Sequence, residues 1–236
     1  MKSIKVLSLN LYNRGPSKNI DKLLDLLARF DIIGVQEGSY NLDKIITKKL
    51  GYRSYGDYRF GNKLSRLKIN ENNNIITSNK VLRYDTYYLS IFGSRKKDNI
   101  KLIKNFNLFS RIATVAIIKT DIGNICHINT HLSYGPDSLH KKQLDDLLEL
   151  VDMYKDYNIV ITGDFNADID HPEFIDFSYK LDDYQIKRVE INDYTFKDRH
   201  IDHIFVSNKL KILDKGIIKD LNDITDHNGI YVTLSK

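Results

Sequence analysis

Gly163-Asp164-Phe165-Asn166 follows a run of β-branched apolar residues, Ile159-Val160-Ile161-Thr162. A buried strand that stops at a glycine and then presents a carboxylate and a carboxamide can set reactive groups at the rim of a sheet. The same stretch reads equally as a strand end passing into an Asx-rich turn. If the chain stays extended, Asp164 and Asn166 point the same way and share a cavity, with Phe165 turned into the core. Other polar residues fall at comparable places. Asn10, Glu37 and His131 each stand at or just beyond an apolar run, and Asp202 and the Asp226-His227 pair flank the last ones. Carboxylates and carboxamides are hard oxygen donors for a small divalent cation, and no Cys/His spacing argues for zinc. A histidine beside a carboxylate can carry a proton or a positive charge near neutral pH. Each residue also has a plainer reading, His131 as a satisfied half-buried histidine and Asp226 as a turn residue. Their recurrence at strand ends is what favours a shared site.

The elements that must position them follow from periodicity. Val6, Ser8 and Asn10 alternate with Leu7, Leu9 and Leu11, which predicts a strand with one polar end. Ile20, Leu23, Leu24, Leu27 and Phe30 keep helical spacing, with Ser17 as the expected N-cap. Asp31–Gln36 is a buried strand that delivers Glu37, so strand–helix–strand implies two members of one sheet. A weaker helix is expected over Asp43–Leu50, ending at Gly51. Tyr52–Asn70 reads as an irregular loop. Glu71–Ser78 becomes a strand, and Val81–Ile91 is expected as its antiparallel continuation after an Asn79-Lys80 turn. Ser94–Asn107 is the densest basic run and reads as a solvated loop or a nucleic-acid contact. Phe109–Lys119 and Ile122–Thr130 predict a hairpin ending at His131. Gly135-Pro136 opens a helix with a stripe of Leu144, Leu147, Leu148, Val151 and Tyr154. After Pro172 the pattern is mixed until three strands, Ile201–Ser207, Leu210–Ile218 and Ile230–Leu234.

A chain of 236 residues with 42% hydrophobic content, 15 Tyr and 10 Phe can bury a sizeable core. No repeat or linker interrupts it, so a single domain over residues 1–236 is expected. No apolar run approaches the roughly 18–20 residues of a membrane span, and the N-terminus lacks a secretory h-region. The one cysteine, Cys126 in an apolar stretch, suits a reducing compartment and a cytoplasmic location. A formal charge of +5 weakly favours polyanionic partners.

LSLN, QE, INTHL, TGDFNAD, IDHIFVS and TDHNGIYV, in this order, resemble the motif series of the endonuclease/exonuclease/phosphatase superfamily. That group includes DNase I-like nucleases, abasic-site endonucleases, inositol polyphosphate 5-phosphatases and neutral sphingomyelinases. The resemblance covers Val6 to Val232. It implies an α/β fold, a four-layer sandwich of two packed, mainly antiparallel sheets flanked by helices. It also implies divalent-metal-dependent cleavage of a phosphoester, with Mg²⁺ or Mn²⁺ as cofactor.

Such hydrolysis needs an activated water, charge neutralisation on the phosphoryl oxygens and a proton or cation for the leaving oxygen. Glu37, Asn10 and Asp226 are the expected metal ligands. Asp164 is the residue expected to orient or deprotonate the water, and Asn166 to donate to a phosphoryl oxygen. His227 would stabilise the transition state as a cation, with Asp202 fixing its tautomer and raising its pKa. His131 resembles the second histidine of DNase I-like members, a general acid or phosphate contact. Glu71 matches the acidic residue that orients it there, and Arg111 their phosphate-binding arginine. Either charge also fits an ordinary surface position.

Some positions depart from the family pattern. Tyr12 stands where abasic-site endonucleases carry a carboxylate, and His131 where they carry a tyrosine. No tryptophan is present, His203 follows Asp202, and Gly229-Ile230 replaces the usual proline. Abasic-site repair is therefore disfavoured, as is the polyphosphatase branch, whose basic motifs are not evident. The expectation is a nuclease acting on a phosphate-ester substrate, with nucleic acid as the partner class, no stable membrane insertion and no protein partner. A phosphatase or a lipid phosphodiesterase, sphingomyelinase-like or acting on phosphoinositides, is the alternative. A catalytically idle binding module on the same fold is a third.

Overall fold

A computed structural model describes residues 1–12, 19–57, 71–90 and 111–236. The Ser94–Asn107 basic run, Ser17 and the stretch 58–70 lie outside the described residues.

Among the described residues, twelve strands form two six-stranded sheets. The strands are β1 (Ile4–Asn10), β2 (Ile32–Gln36), β3 (Arg53–Tyr55), β4 (Ile75–Thr77), β5 (Lys80–Tyr88) and β6 (Ile112–Thr120), then β7 (Gly123–His131), β8 (Asn158–Asp164), β9 (Ile186–Arg188), β10 (Asp202–Ser207), β11 (Lys211–Ile218) and β12 (Gly229–Ser235). One sheet has the order β11-β12-β1-β2-β4-β3 and the other β5-β6-β7-β8-β10-β9. Each is mixed: β1 runs parallel to β2, β7 runs parallel to β8, and the other pairings are antiparallel. The described helices are α1 (Ile20–Leu27), α2 (Tyr40–Leu50), α3 (Asp137–Met153) and α4 (Pro172–Asp182).

Side-chain alternation along the strands sorts the layers. Leu7, Leu9, Ile33 and Val35 face α1 and α2, where they meet Leu23, Leu27, Leu42 and Ile46. Ile128, Ile159, Ile161 and Phe205 face α3 and α4, against Leu144, Leu147, Phe174 and Phe177. Between the sheets lie Val6, Ile32, Ile118, Val160, Ile204 and Val232. The result is the expected helix–sheet–sheet–helix sandwich.

Some expectations on the elements are corrected. The strand after Asn79 does not fold back on β4: β5 pairs with β6 in the opposite sheet, while β4 pairs with β2 and β3. A tight turn between two strands signals a hairpin only when both stay in one sheet; this one crosses between layers. α1 is capped by Asn19, whose side chain accepts from the Lys22 N–H. α2 starts at Tyr40, capped by Ser39, and closes on Gly51 at φ 70, a left-handed position suited to glycine. The mixed stretch after Pro172 contains α4, with the proline in its first turn and Phe174, Phe177 and Leu181 on its buried stripe.

One polar layer interrupts the apolar interface between the sheets. The Asn129 carboxamide on β7 donates to the carbonyls of Val35 (2.8 Å) and Asn74 (3.1 Å) in the opposite sheet. Its oxygen accepts from Gln36 Nε2 at 2.6 Å and from Thr162 Oγ1 at 3.0 Å. Gln36 also donates to Ser8 Oγ, and His127 Nε2 lies 2.8 Å from Thr162 Oγ1. All of these side chains are buried. Such a network is stable only when its members are paired together, which fixes the relative register of the two sheets. Gly34 makes room for it, since a Cβ there would collide with Thr162 Oγ1 and Asn129 Oδ1.

Candidate active site

The sheet register sets Asp164 between two neighbours of the same sheet. His131 is its Cα partner on parallel β7 and Asp202 its partner on antiparallel β10. In the other sheet Asn10 pairs with Gln36, so that Glu37 follows at the same end. The C-terminal ends of β1, β2, β7 and β8 thus meet the N-terminal ends of β10 and β12 at one rim.

Contacts bridge the sheets there. Asn10 Nδ2 donates to Asp164 Oδ2 at 2.9 Å and to Glu37 Oε1 at 3.4 Å, while its Oδ1 accepts from the Tyr12 N–H. Asp164 is 2% exposed, and its second oxygen accepts from the Asn166 N–H at 2.9 Å. The chain does not stay extended after Asp164. Asn166 has a φ of 52°, so the stretch is a turn and a polar rim at once. Phe165 is fully buried, packed on Phe174 and Phe177 as the alternation requires. Asn166 Nδ2 donates to the Leu132 carbonyl at 2.9 Å and lies 3.1 Å from His131 Nε2. Glu37 and Tyr12 also take φ values of 52° and 53°. Left-handed backbone at non-glycine residues costs of order 1 kcal/mol or more each and persists where neighbours over-determine it.

Glu71 and Arg111 are brought to the rim rather than left on the open surface. Arg111 donates to Glu71 at 3.3 Å and reaches His131 Nδ1 at 2.9 Å. The guanidinium can only donate to Nδ1, while the Asn166 carboxamide N–H faces Nε2, so both ring nitrogens are met by donors and a neutral imidazole, with one accepting nitrogen, satisfies one of the two contacts. That Nε2 stands 3.6 Å from Asp164 Oδ2, and Nδ1 stands 3.8 Å from Glu37 Oε1.

His227 closes the rim. Its Nδ1 bonds Asp202 Oδ2 at 2.9 Å, and its Nε2 is 3.9 Å from Asp164 Oδ2. Burial alone would lower its pKa, but the charge and hydrogen bond of Asp202, helped by Asp164 and Asp226, raise it to about 9. Phe196 stacks on the ring at 4.6 Å. The loop is tied to β1 through Thr225, whose hydroxyl donates to the Asn10 carbonyl and accepts from the His227 N–H. Thr195 holds the other side, accepting from the Ile201 and Asp202 N–H groups. Sequence reading missed Thr195, Phe196 and Thr225. Only the threonine beside Asp226-His227 carried a signal, as a hydroxyl within a turn.

The chemistry of the donors suits a hard divalent ion. Glu37 Oε1 is partly exposed at the rim, and Asp226 Oδ1 is buried without a hydrogen-bond partner. An orphaned carboxylate oxygen is costly unless a cation or proton meets it. Asp164, Asp202 and His227 also bring ligand-type atoms within 4.8 Å of one another. With His227 Nδ1 engaged by Asp202 and its pKa raised, the imidazolium reading of that group has more support than a ligand reading.

The sequence matches the model of the Endonuclease/Exonuclease/phosphatase family over residues 7–227. The chain belongs to this family, whose members are hydrolases acting on phosphoesters. A search of curated proteins finds no match. Among solved structures, it is similar to an endonuclease/exonuclease/phosphatase from Bacteroides vulgatus, with a TM-score of 0.80 and 19% identity over 100% of this chain and 99% of that one. It is also similar to the mannosyl-6-phosphatase of Bacteroides thetaiotaomicron (TM-score 0.73, 20% identity, 99% and 100% covered). The human Nocturnin catalytic domain aligns with a TM-score of 0.73 and 16% identity over 99% and 93% of the two chains. These likenesses bear on the fold. No described helix is long and apolar enough to cross a membrane.

Proposed function

We propose that residues 1–236 form one catalytic domain that hydrolyses phosphodiesters of nucleic acid with the help of Mg²⁺ or Mn²⁺. The observation that carries this is the placement of Asp164 within contact range of Asn10, His131, Asn166 and His227, which come from both sheets. Glu37, Asn10 and Asp226 would hold the ion, which supplies charge neutralisation on the phosphoryl oxygens.

The chain's own groups then have distinct tasks. Asp164, held by two donors, orients the attacking water and takes its proton as the oxygen bonds to phosphorus. His227, kept cationic by Asp202, offsets the charge that grows on the phosphoryl group. His131 gives a ring proton to the departing oxygen, and Arg111 and Glu71 hold that ring in place. Asn166 fixes the rim beside it.

Nucleic acid is favoured over a small headgroup by the rim around this site. Tyr134 is 78% exposed and Tyr194 is 53% exposed, next to Arg199 and His200. Tyrosine faces stack on bases and cations track phosphates, a combination that suits single-stranded nucleic acid. The test is a panel of single-stranded DNA, duplex DNA, RNA, a sugar phosphate, sphingomyelin and phosphoinositides, each with Mg²⁺ and with EDTA. Cleavage of a nucleic acid that EDTA abolishes is expected. Activity confined to the sugar phosphate or a lipid would replace the nuclease reading, and an inert wild type would favour a binding module.

A further inference from the structure

Two buried histidines that the proposed reaction does not use reach the turn that carries Asn166. His140 Nε2, on α3, lies 2.8 Å from the Phe165 carbonyl, and His203 Nε2, on β10, lies 3.0 Å from the Ala167 carbonyl. These carbonyls belong to the two neighbours of Asn166, whose φ of 52° is left-handed. Both rings are buried, as are Phe165 and Ala167. A carbonyl only accepts, so each ring must present its proton at Nε2. His140 Nδ1 has no hydrogen-bond partner, which suits a nitrogen that keeps its lone pair. Burial pushes both pKa values down, so each ring is a neutral donor with a single N–H. His203 is further fixed by Phe174, whose ring centroid is 4.2 Å from its own.

The other contacts of the turn show what depends on these two bonds. The Asn166 N–H donates to Asp164 Oδ1, and its carboxamide donates to the Leu132 carbonyl and stands 3.1 Å from His131 Nε2. Relaxing Asn166 to an extended backbone would reorient the peptide that bears the Phe165 carbonyl and swing Ala167 off its donor. Two buried carbonyls without donors cost more than one left-handed residue relieves. The histidine bonds therefore weigh against the conformation that Asn166 would otherwise prefer.

We propose that His140 and His203 are positioning residues: by donating to the Phe165 and Ala167 carbonyls they hold Asn166 left-handed, and through it they set Asp164 and His131 for the reaction. Only the effect on turnover rests on the reaction proposed above. Leucine at either position keeps bulk and removes the donor, whereas glutamine returns an N–H at about the reach of Nε2.

Wild type, His140→Leu, His140→Gln, His203→Leu and His203→Gln are compared as full chains, each checked for native circular dichroism. Nitrogen-15 NMR of the wild-type imidazoles is expected to find the proton of both rings on Nε2. Hydrogen exchange of the Asn166 amide is read against that of Val160, in the middle of β8. It is expected to quicken at least ~10-fold in the leucine variants and to return toward the wild-type rate in the glutamine variants. On the substrate that the panel identifies, kcat is expected to fall at least ~10-fold in the leucine variants and to recover with glutamine, with KM within about twofold throughout. A proton on Nδ1 of either ring overturns the proposal, as does wild-type Asn166 exchange in both leucine variants. Normal kcat beside quickened exchange, or equal damage from leucine and glutamine, also overturns it, because the rings would then serve packing alone. Should a leucine variant not fold, the wild-type tautomers and the glutamine variant at that position decide. Tautomer and exchange need no substrate, so an inert wild type sinks the catalytic reading while these two readouts still judge the hold on Asn166.

Discussion

Asp164 and His227 have different tasks in the proposed reaction, and their removal should show it in kcat. Asp164→Asn keeps shape and the two incoming donors but cannot accept a proton. His227→Ala removes the positive charge facing the phosphoryl group. Each is expected to lower kcat by at least ~10²–10³-fold, the scale of losing a general base or a transition-state charge partner. Near wild-type turnover in either variant contradicts its assigned role. These residues were legible because strand alternation and turn chemistry both mark them. Glu71 and Arg111 were legible only through the family resemblance, since an isolated charge next to a strand has no pattern of its own. The left-handed backbone at Glu37 and Asn166 was not legible, because it is imposed by contacts from strands distant in sequence.

At the level of elements, the pairing of β7 with β8 is the critical joint, since it carries His131 and Asp164 side by side. Gly163 allows it. A Cβ at that position would stand 2.5 Å from the Thr130 backbone carbonyl, which cannot swing away as a side chain could. Gly163→Ala is therefore expected to cost about 1–3 kcal/mol of stability, the usual range for overpacking. It should also reduce turnover by separating His131 from Asp164. An unchanged urea midpoint together with unchanged kcat would show that the strands part freely there. Strands with strong apolar alternation, such as β1 and β8, were read correctly from sequence. α4 was missed although Pro172, Phe174, Phe177 and Leu181 spell a helix start and stripe, because the aromatic spacing was not weighed against the polar residues between. The route of β5 into the opposite sheet could not be read locally. It depends on which sheet offers an open edge.

For the whole molecule, buried histidines set a dependence on pH. Burial holds His127 and His203 uncharged and pushes their pKa values down to about 3. The unfolded chain protonates them near the ordinary value of 6.5. Between these values the unfolded state binds more protons, so the contribution of these two rings is full above about pH 6.5 and declines as pH falls toward 3, whereas that of His227, raised to about 9, is lost as pH rises from 6.5 toward 9. The urea midpoint is expected to be lower at pH 5 than at pH 6.5, before most carboxylates titrate. Equal midpoints would mean that water reaches these rings. The two-sheet architecture itself was legible from strand count and motif order, but the polar layer between the sheets was not, since Asn129, Gln36 and Thr162 look like surface residues in an alternating pattern.

The Asn129 carboxamide has a consequence for the order of folding. Its hydrogens are taken by Val35 and Asn74 of one sheet, and its oxygen by Gln36 of that sheet and Thr162 of its own. Neither sheet can satisfy it alone, so water holds its open hydrogen bonds until the two dock. Asn10 and Asp164 first meet at the same moment, because they too belong to opposite halves. Catalytic competence is then a late kinetic product: in stopped-flow refolding, β-sheet circular dichroism should recover before turnover does. Simultaneous recovery of both signals would show that the halves never exist apart.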